Sequence, residues 1–216
     1  MQRREFLASA GAVGISAVSL SSNSAQADIP ISQRIAPKPA TVAQSLPNII
    51  LRTQDNKKVR LYEDLLKDKI FMINMFYVAC TDGQCPLVTA NLARVQPLIG
   101  SRLGRDIFMY SISLEPELDT PESLKAYAAH FNVKPGWTFL TGERDDIERL
   151  RKALGFWDPD PIRDAKKNTH AGMAKMANEP LDRWIGCPTL AEPREIRRTL
   201  SYLDWPKGWK GGSRKG

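Results

Sequence analysis

Residues 70–77 read Ile-Phe-Met-Ile-Asn-Met-Phe-Tyr, a nearly unbroken apolar run. Cys80 follows after Val78 and Ala79, then Thr81-Asp82-Gly83-Gln84, then Cys85-Pro86. A run of this length predicts a central strand buried on both faces. Proline tolerates the first helical position, so Pro86 predicts a helix opening just after Cys85. The two sulfurs therefore lie in a strand-to-helix connection. The helix dipole and unpaired N–H groups at such a place favour thiolate over thiol. Thiolates bind soft metals and attack disulfides. The pair confines the chain's chemistry to metal binding, thiol–disulfide exchange or a plain disulfide.

The pattern around this strand fixes the fold class. Ile49-Ile50-Leu51 and Val59-Arg60-Leu61, separated by a turn at Gln54-Asp55-Asn56-Lys57, predict an N-terminal β-hairpin. A short helix is expected over 62–66. After Pro86, Val88, Leu92, Val95 and Ile99 make one helical face, which Pro97 should kink or end near Gln96. Residues 107–114 predict a strand. Pro121 opens a helix whose Leu124, Tyr127, Ala128 and Phe131 share a face. A strand over 137–140, a helix with Ile147, Leu150 and Leu154, a hairpin over 171–177 and 183–185, and a last helix with Ile196, Leu200 and Leu203 complete the order. Residues 156–169, polar and broken by prolines, predict a mobile loop. Strands alternating with helices, then a hairpin and a closing helix, describe an α/β, thioredoxin-like three-layer sandwich with a central mixed sheet.

The ends predict different things. Arg3-Arg4-Glu5-Phe6-Leu7, a weak apolar run to Leu20 and Ala25-Gln26-Ala27 are the successive parts of a twin-arginine signal peptide over 1–27. Export to a periplasm follows, where disulfides persist. Residues 28–47 read as a linker or arm, 48–204 as the domain, and 205–216 as a basic flexible tail. Beyond the leader, no run is apolar enough for a membrane span. Cleavage would remove Arg3, Arg4 and Glu5 and take the formal net charge from +7 to +6. The basic residues are interspersed with acids apart from those at the tail, which argues against a nucleic-acid surface and fits an acidic protein partner.

Several stretches in order carry a family resemblance: Cys80…Cys85-Pro86; residues 110–127, Tyr-Ser-Ile-Ser-Leu-Glu-Pro-Glu-Leu-Asp-Thr-Pro-Glu-Ser-Leu-Lys-Ala-Tyr; Trp137-Thr-Phe-Leu-Thr-Gly142; Leu154-Gly155-Phe156; and a lone His170 before the next strand. Over most of 48–204 the chain resembles the Sco (SenC) proteins, thioredoxin-fold copper chaperones for the CuA centre of cytochrome c oxidase. The resemblance implies a metal site of Cys80, Cys85 and His170, holding Cu(I) or Cu(II). It implies a CuA-bearing subunit of cytochrome c oxidase as partner. Nitrous oxide reductase is the alternative CuA target, and a periplasmic thiol reductant would serve the pair. The chain departs from the family in one respect. Four residues separate the cysteines where the family's usual motif has three. Asp82-Gly83 is a turn former, so the longer loop is still expected to bring both sulfurs together.

The same cysteines suit a redox-active pair, which leaves open a thiol–disulfide oxidoreductase that reduces the cysteines of a CuA site. A merely structural disulfide ranks lower, because a domain of this size builds an adequate core without it. The remaining candidates read more plainly. His130 complements a helix C-terminus. Cys187 is a small buried residue. Glu115 and Asp119 either contact the site and partner or cap the helix before Pro121. Met173 and Met176 pack as strand residues although thioether sulfur suits Cu(I). Met72, Met75, Trp137 and Trp184 belong to packing.

Overall fold

The structure, a computed structural model, describes residues 40–166 and 172–204. Seven strands form one sheet: β1 (Ile50–Thr53), β2 (Lys58–Arg60), β3 (Ile70–Phe76), β4 (Ile107–Ser113), β5 (Trp137–Gly142), β6 (Met173–Asn178) and β7 (Arg183–Pro188). Their order across the sheet is β2-β1-β5-β4-β3-β6-β7. The three central strands β3, β4 and β5 run parallel, and the hairpins on either flank pair antiparallel to them. The mixed sheet and the N-terminal hairpin agree with the sequence reading.

Strand period explains the layers, since successive side chains point to opposite faces. From β3, Ile70, Met72 and Phe76 join one core with Val88 and Leu92 of α2 (Gln84–Ala93), Leu124 and Ala128 of α4 (Pro121–His130), and Ile196 and Leu200 of α7 (Pro193–Tyr202). Phe71, Ile73 and Met75 face the other way, onto Ile147 and Leu150 of α5 (Arg144–Ala153) and Leu61, Leu65 and Leu66 of a π-helical stretch, Leu61–Leu66. Every residue of β3 is buried. Its one polar member, Asn74, accepts the Ser111 hydroxyl at 2.8 Å, and the Ser111 oxygen in turn accepts the Trp137 indole N–H at 2.9 Å. Trp137 is thus a packing residue whose polar atom is satisfied, as a buried donor requires. Trp184 sets its ring edge-on against Phe71 at 5.5 Å.

At Pro97 the expected kink or end resolves to an end, and two other details differ from the sequence reading. α2 ends at Ala93, and a separate turn, α3 (Gln96–Ile99), follows with the proline near its start. Packing also begins before residue 48. α1 (Val42–Ser45) opens with a capping box between Thr41 and Gln44, and Ala43 and Leu46 are buried in the core around the π-helical stretch. Residues 40–47 are therefore an arm laid on the domain. Finally, residues 156–166 are pinned rather than loose. Phe156 is buried, Pro161–Asp164 form a helical turn (α6), and the Arg151 guanidinium donates to the Phe156 carbonyl and both Asp164 oxygens at 2.6–2.7 Å. Composition signals a loop here but cannot show that one arginine from the preceding helix will seize it.

Candidate functional site

Parallel β3 delivers its C-terminal end to the same edge of the sheet at which α2 starts. The connection, residues 77–83, crosses this edge. Gly83 takes a left-handed φ of 75° as the N-cap of α2. That conformation costs a glycine little and is the turn expected of Asp82-Gly83. The helix begins two residues earlier than expected. Gln84 is first, Cys85 second and Pro86 third.

The helix start acts on one sulfur of the pair in particular. The helix N-terminus points at Cys80, not at its own cysteine. The Cys85 N–H donates to Cys80 Sγ at 3.3 Å. Cys80 Sγ also lies 2.9 Å from Asp82 Oδ1, which takes the Gln84 N–H at 3.1 Å. Cys80 is half-buried, whereas Cys85 is fully buried. Burial, then the hydrogen bond with Cys80, pushes the Cys85 thiol well above its ordinary range, partly opposed by a backbone hydrogen bond from Tyr77. Both cysteines are free thiols, as is Cys187. The pair therefore presents an accessible outer sulfur and a protected inner one.

Two tyrosines that sequence reasoning passed over line this place. The Tyr77 phenol is raised by burial first, then by its hydrogen bond to Cys80. Tyr127 is pushed up to about 12 by burial. Its hydroxyl meets Thr89 Oγ1 at 3.0 Å, and Thr89 donates to the Cys85 carbonyl at 2.9 Å. Tyr127 was legible as a helix-face residue, but its reach to the Cys85 turn depends on how α4 lies beside α2. Tyr77 offered a weak signal, an aromatic three residues before Cys80 at the strand end.

Asp119 does not cap α4. Thr120 does, accepting the Ser123 N–H at 3.3 Å. The Asp119 carboxylate turns inward instead, is 1% exposed, and accepts the Val78 N–H at 3.2 and 3.4 Å on its two oxygens. Glu115 stays nearer the surface, its N–H donating to Ser113 Oγ at 2.9 Å. Cys187 is buried in β7, with Sγ 3.9 Å from Thr199 Oγ1, and burial raises its thiol. Met176 is core, but Met173 is 41% exposed at the start of β6, so it does not pack as expected. His130 ends α4 with its ring edge-on to Phe131.

His170 lies outside the described residues. The chain re-enters at Gly172, where a Cβ would come 3.5 Å from Gln84 Nε2 of the cysteine connection. Its carbonyl accepts the Thr189 N–H at 3.0 Å. Among the described residues, no three His, Cys, Asp or Glu side chains are gathered to hold a metal ion. Two soft sulfur donors at one helix start suit a soft, low-coordinate ion, provided one further donor joins them.

A mixed-sheet, thioredoxin-like domain with a cysteine pair between its central strand and first long helix defines the class of protein. The chain belongs to the SCO1/SenC family, whose model matches residues 51–178. A SCO1 protein homolog from Bacillus subtilis (strain 168) is 32% identical over 101 residues, which are 46% of this chain and 50% of that protein. The chain spans about half the length of the curated relatives it matches. Among solved structures, Bradyrhizobium japonicum ScoI with copper bound is similar at a TM-score of 0.58 and 22% identity, over 73% of this chain and 98% of that one. BsSco, with a disulfide switch and described as a member of the Sco family of cytochrome c oxidase assembly proteins, gives 0.59 and 20%, over 77% and 95%. These likenesses carry the fold. No helix among the described residues is long and apolar enough to cross a membrane.

Proposed function

We propose that this chain is an exported copper carrier that delivers its ion to a CuA centre, with Cys80, Cys85 and His170 as ligands. The observation that supports it most is the close pairing of Cys80 and Cys85, with the Cys85 N–H on Cys80 Sγ, inside a SCO1/SenC domain. Copper-bound ScoI and the oxidase-assembly description of BsSco support the cargo and the destination. Cytochrome c oxidase is the first candidate target, and nitrous oxide reductase the other. The re-entry of the chain at Gly172, beside Gln84, supports a ligand from residue 170. Arg3-Arg4 and Ala25-Gln26-Ala27 support a twin-arginine route to the periplasm.

The protein's part in carriage is to supply and withdraw sulfur. Both thiols lose their protons when a soft ion binds. Burial makes that loss unfavourable for Cys85 in the free protein, so the bound ion must compensate. Oxidation of the two thiolates to a disulfide would remove both donors and release the ion. The half-buried outer sulfur and buried inner one also suit thiol–disulfide exchange, in which Cys80 attacks and Cys85 resolves. That observation supports the second reading, reduction of the cysteines of a CuA site by a protein kept reduced by a periplasmic thiol donor.

One experiment separates them. The reduced chain titrated with Cu(I) in competition with a chromogenic chelator should bind one equivalent, and His170→Ala should weaken that binding. Absence of binding by the reduced protein sinks the carrier. Reduction of a CuA-domain disulfide by the copper-free chain, undiminished in His170→Ala, would establish the second reading.

A further inference from the structure

We propose that Asp119 is the positioning residue of the cysteine pair, its buried carboxylate setting where Cys80 sits by gripping the Val78 N–H. The inference rests on reading Cys80 and Cys85 as a chemically active pair.

The connection into Cys80 is held at two points, both from the segment that follows β4. The Leu114 N–H donates to the Phe76 carbonyl at 2.8 Å, fixing the end of β3. Two residues on, Val78 donates to Asp119, and two residues further comes Cys80. The carboxylate is itself aimed. Ser113 Oγ donates to Asp119 Oδ2 at 2.5 Å, while the same Ser113 oxygen accepts the Glu115 N–H. A Ser113–Asp119–Val78 chain of hydrogen bonds thus runs from the sheet to the cysteine connection.

A carboxylate is costly to bury, and an exposed one would serve as well for a simple turn. Helix capping does not explain it, because Thr120 performs that task. What the burial achieves is a rigid acceptor with two oxygens behind a loop of exposed and half-buried residues. Charged acceptors make the stronger hydrogen bonds. With Val78 held, few rotatable residues remain between the anchor and Cys80. Its sulfur is thereby kept where the Cys85 N–H reaches it. Fixing two reacting groups in this way raises their effective concentration toward each other.

The test is the glutathione equilibrium of the purified chain, in which two protein thiols and oxidised glutathione give the protein disulfide and two reduced glutathiones. Asp119→Ala should lower this constant about tenfold, equivalent to about 30 mV for a two-electron couple. Asp119→Asn, which keeps an acceptor oxygen for Val78, should restore most of it. A folded Asp119→Ala protein with a lower melting temperature but an unchanged constant overturns the proposal. If that variant does not fold, Ser113→Ala carries the test. Losing the hydroxyl that aims the carboxylate should shift the constant the same way by about threefold, and a wild-type constant overturns the proposal. No copper enters the measurement, so failure to bind copper would sink the carrier and leave this inference standing. A wild-type chain that forms no disulfide at any glutathione ratio sinks the inference, and with it the exchange reading, while leaving copper binding by the reduced protein untouched.

Discussion

Asp119 and Arg151 are both almost fully buried, at 1% and 4% exposure, and each grips a loop from behind. Arg151 is embedded in a dense network. Its guanidinium donates to Glu148, Asp164 and the Phe156 carbonyl, and Asp164 takes the Asp158 N–H as well. Its ionised form is favoured by Asp164 first and then Glu148. Asp119 instead faces a backbone N–H and a hydroxyl, and the loop it holds leads to the free thiol of Cys80. Opposite charges neutralise each other at Arg151, so that region is built for rigidity. The cysteine region has weaker, mostly neutral partners and one accessible thiol, which leaves it able to change state. Two buried charges thus hold two loops through partners of different kinds, ionic at Arg151 and neutral at Asp119.

The largest effect expected on this comparison comes from the sulfurs themselves. Cys80→Ser and Cys85→Ser should each abolish stoichiometric Cu(I) binding in a chelator competition and leave the far-ultraviolet circular dichroism unchanged. A single serine variant that retains full affinity would dissolve the contrast between the two loops. Arg151→Ala should come next. Removing one partner of a buried ionic network strands the other, at about 3 kcal/mol, or roughly 6–12 °C in melting temperature for a domain of this size. The glutathione constant of the cysteine pair should not move. If it does, the two regions are coupled and the separation fails.

Thr120→Ala, which removes the α4 cap beside Asp119, should cost about 1 kcal/mol, read as a shifted urea midpoint. A loss as large as that of Arg151→Ala would mean that the cap and the carboxylate act as one unit. The smallest effect concerns acid. Arg151 is the first cause holding the Glu148 carboxyl below its ordinary 4.5, against a smaller opposing effect of burial. A carboxyl lowered on folding contributes stability above its unfolded pKa and loses it as pH falls through the folded one. The stability gap between wild type and Arg151→Ala should therefore narrow as pH drops below about 4.5, measured by urea midpoints across that range. A gap that stays constant would show that the ion pair contributes little.

Much of this molecule was legible in the chain. The apolar run at 70–77 demanded a central strand, and its period of two placed Ile70, Met72 and Phe76 against Phe71, Ile73 and Met75. Pro121 and the Leu124–Ala128 spacing gave α4, and Asp82-Gly83 gave the turn between the cysteines. These are local facts, set by strand and helix periodicity and by the few residues that tolerate unusual backbone angles. The sequence alone also determined that two cysteines would meet at the junction of the central strand and the first long helix, and so which chemistries were open.

Tertiary structure decided the rest, because it depends on contacts between residues far apart in the chain. Whether Asp119 would cap its helix or turn inward to Val78, 41 residues away, could not be read from Asp-Thr-Pro. Nor could the pinning of 156–166 by Arg151, or the reach of Tyr127 to the Cys85 turn through Thr89. Above all, the sequence placed a helix start next to Cys85, and only the folded connection aimed its free N–H at Cys80 instead. Direction in space is set by how the loop closes and what holds it, and residue spacing carries no information about that.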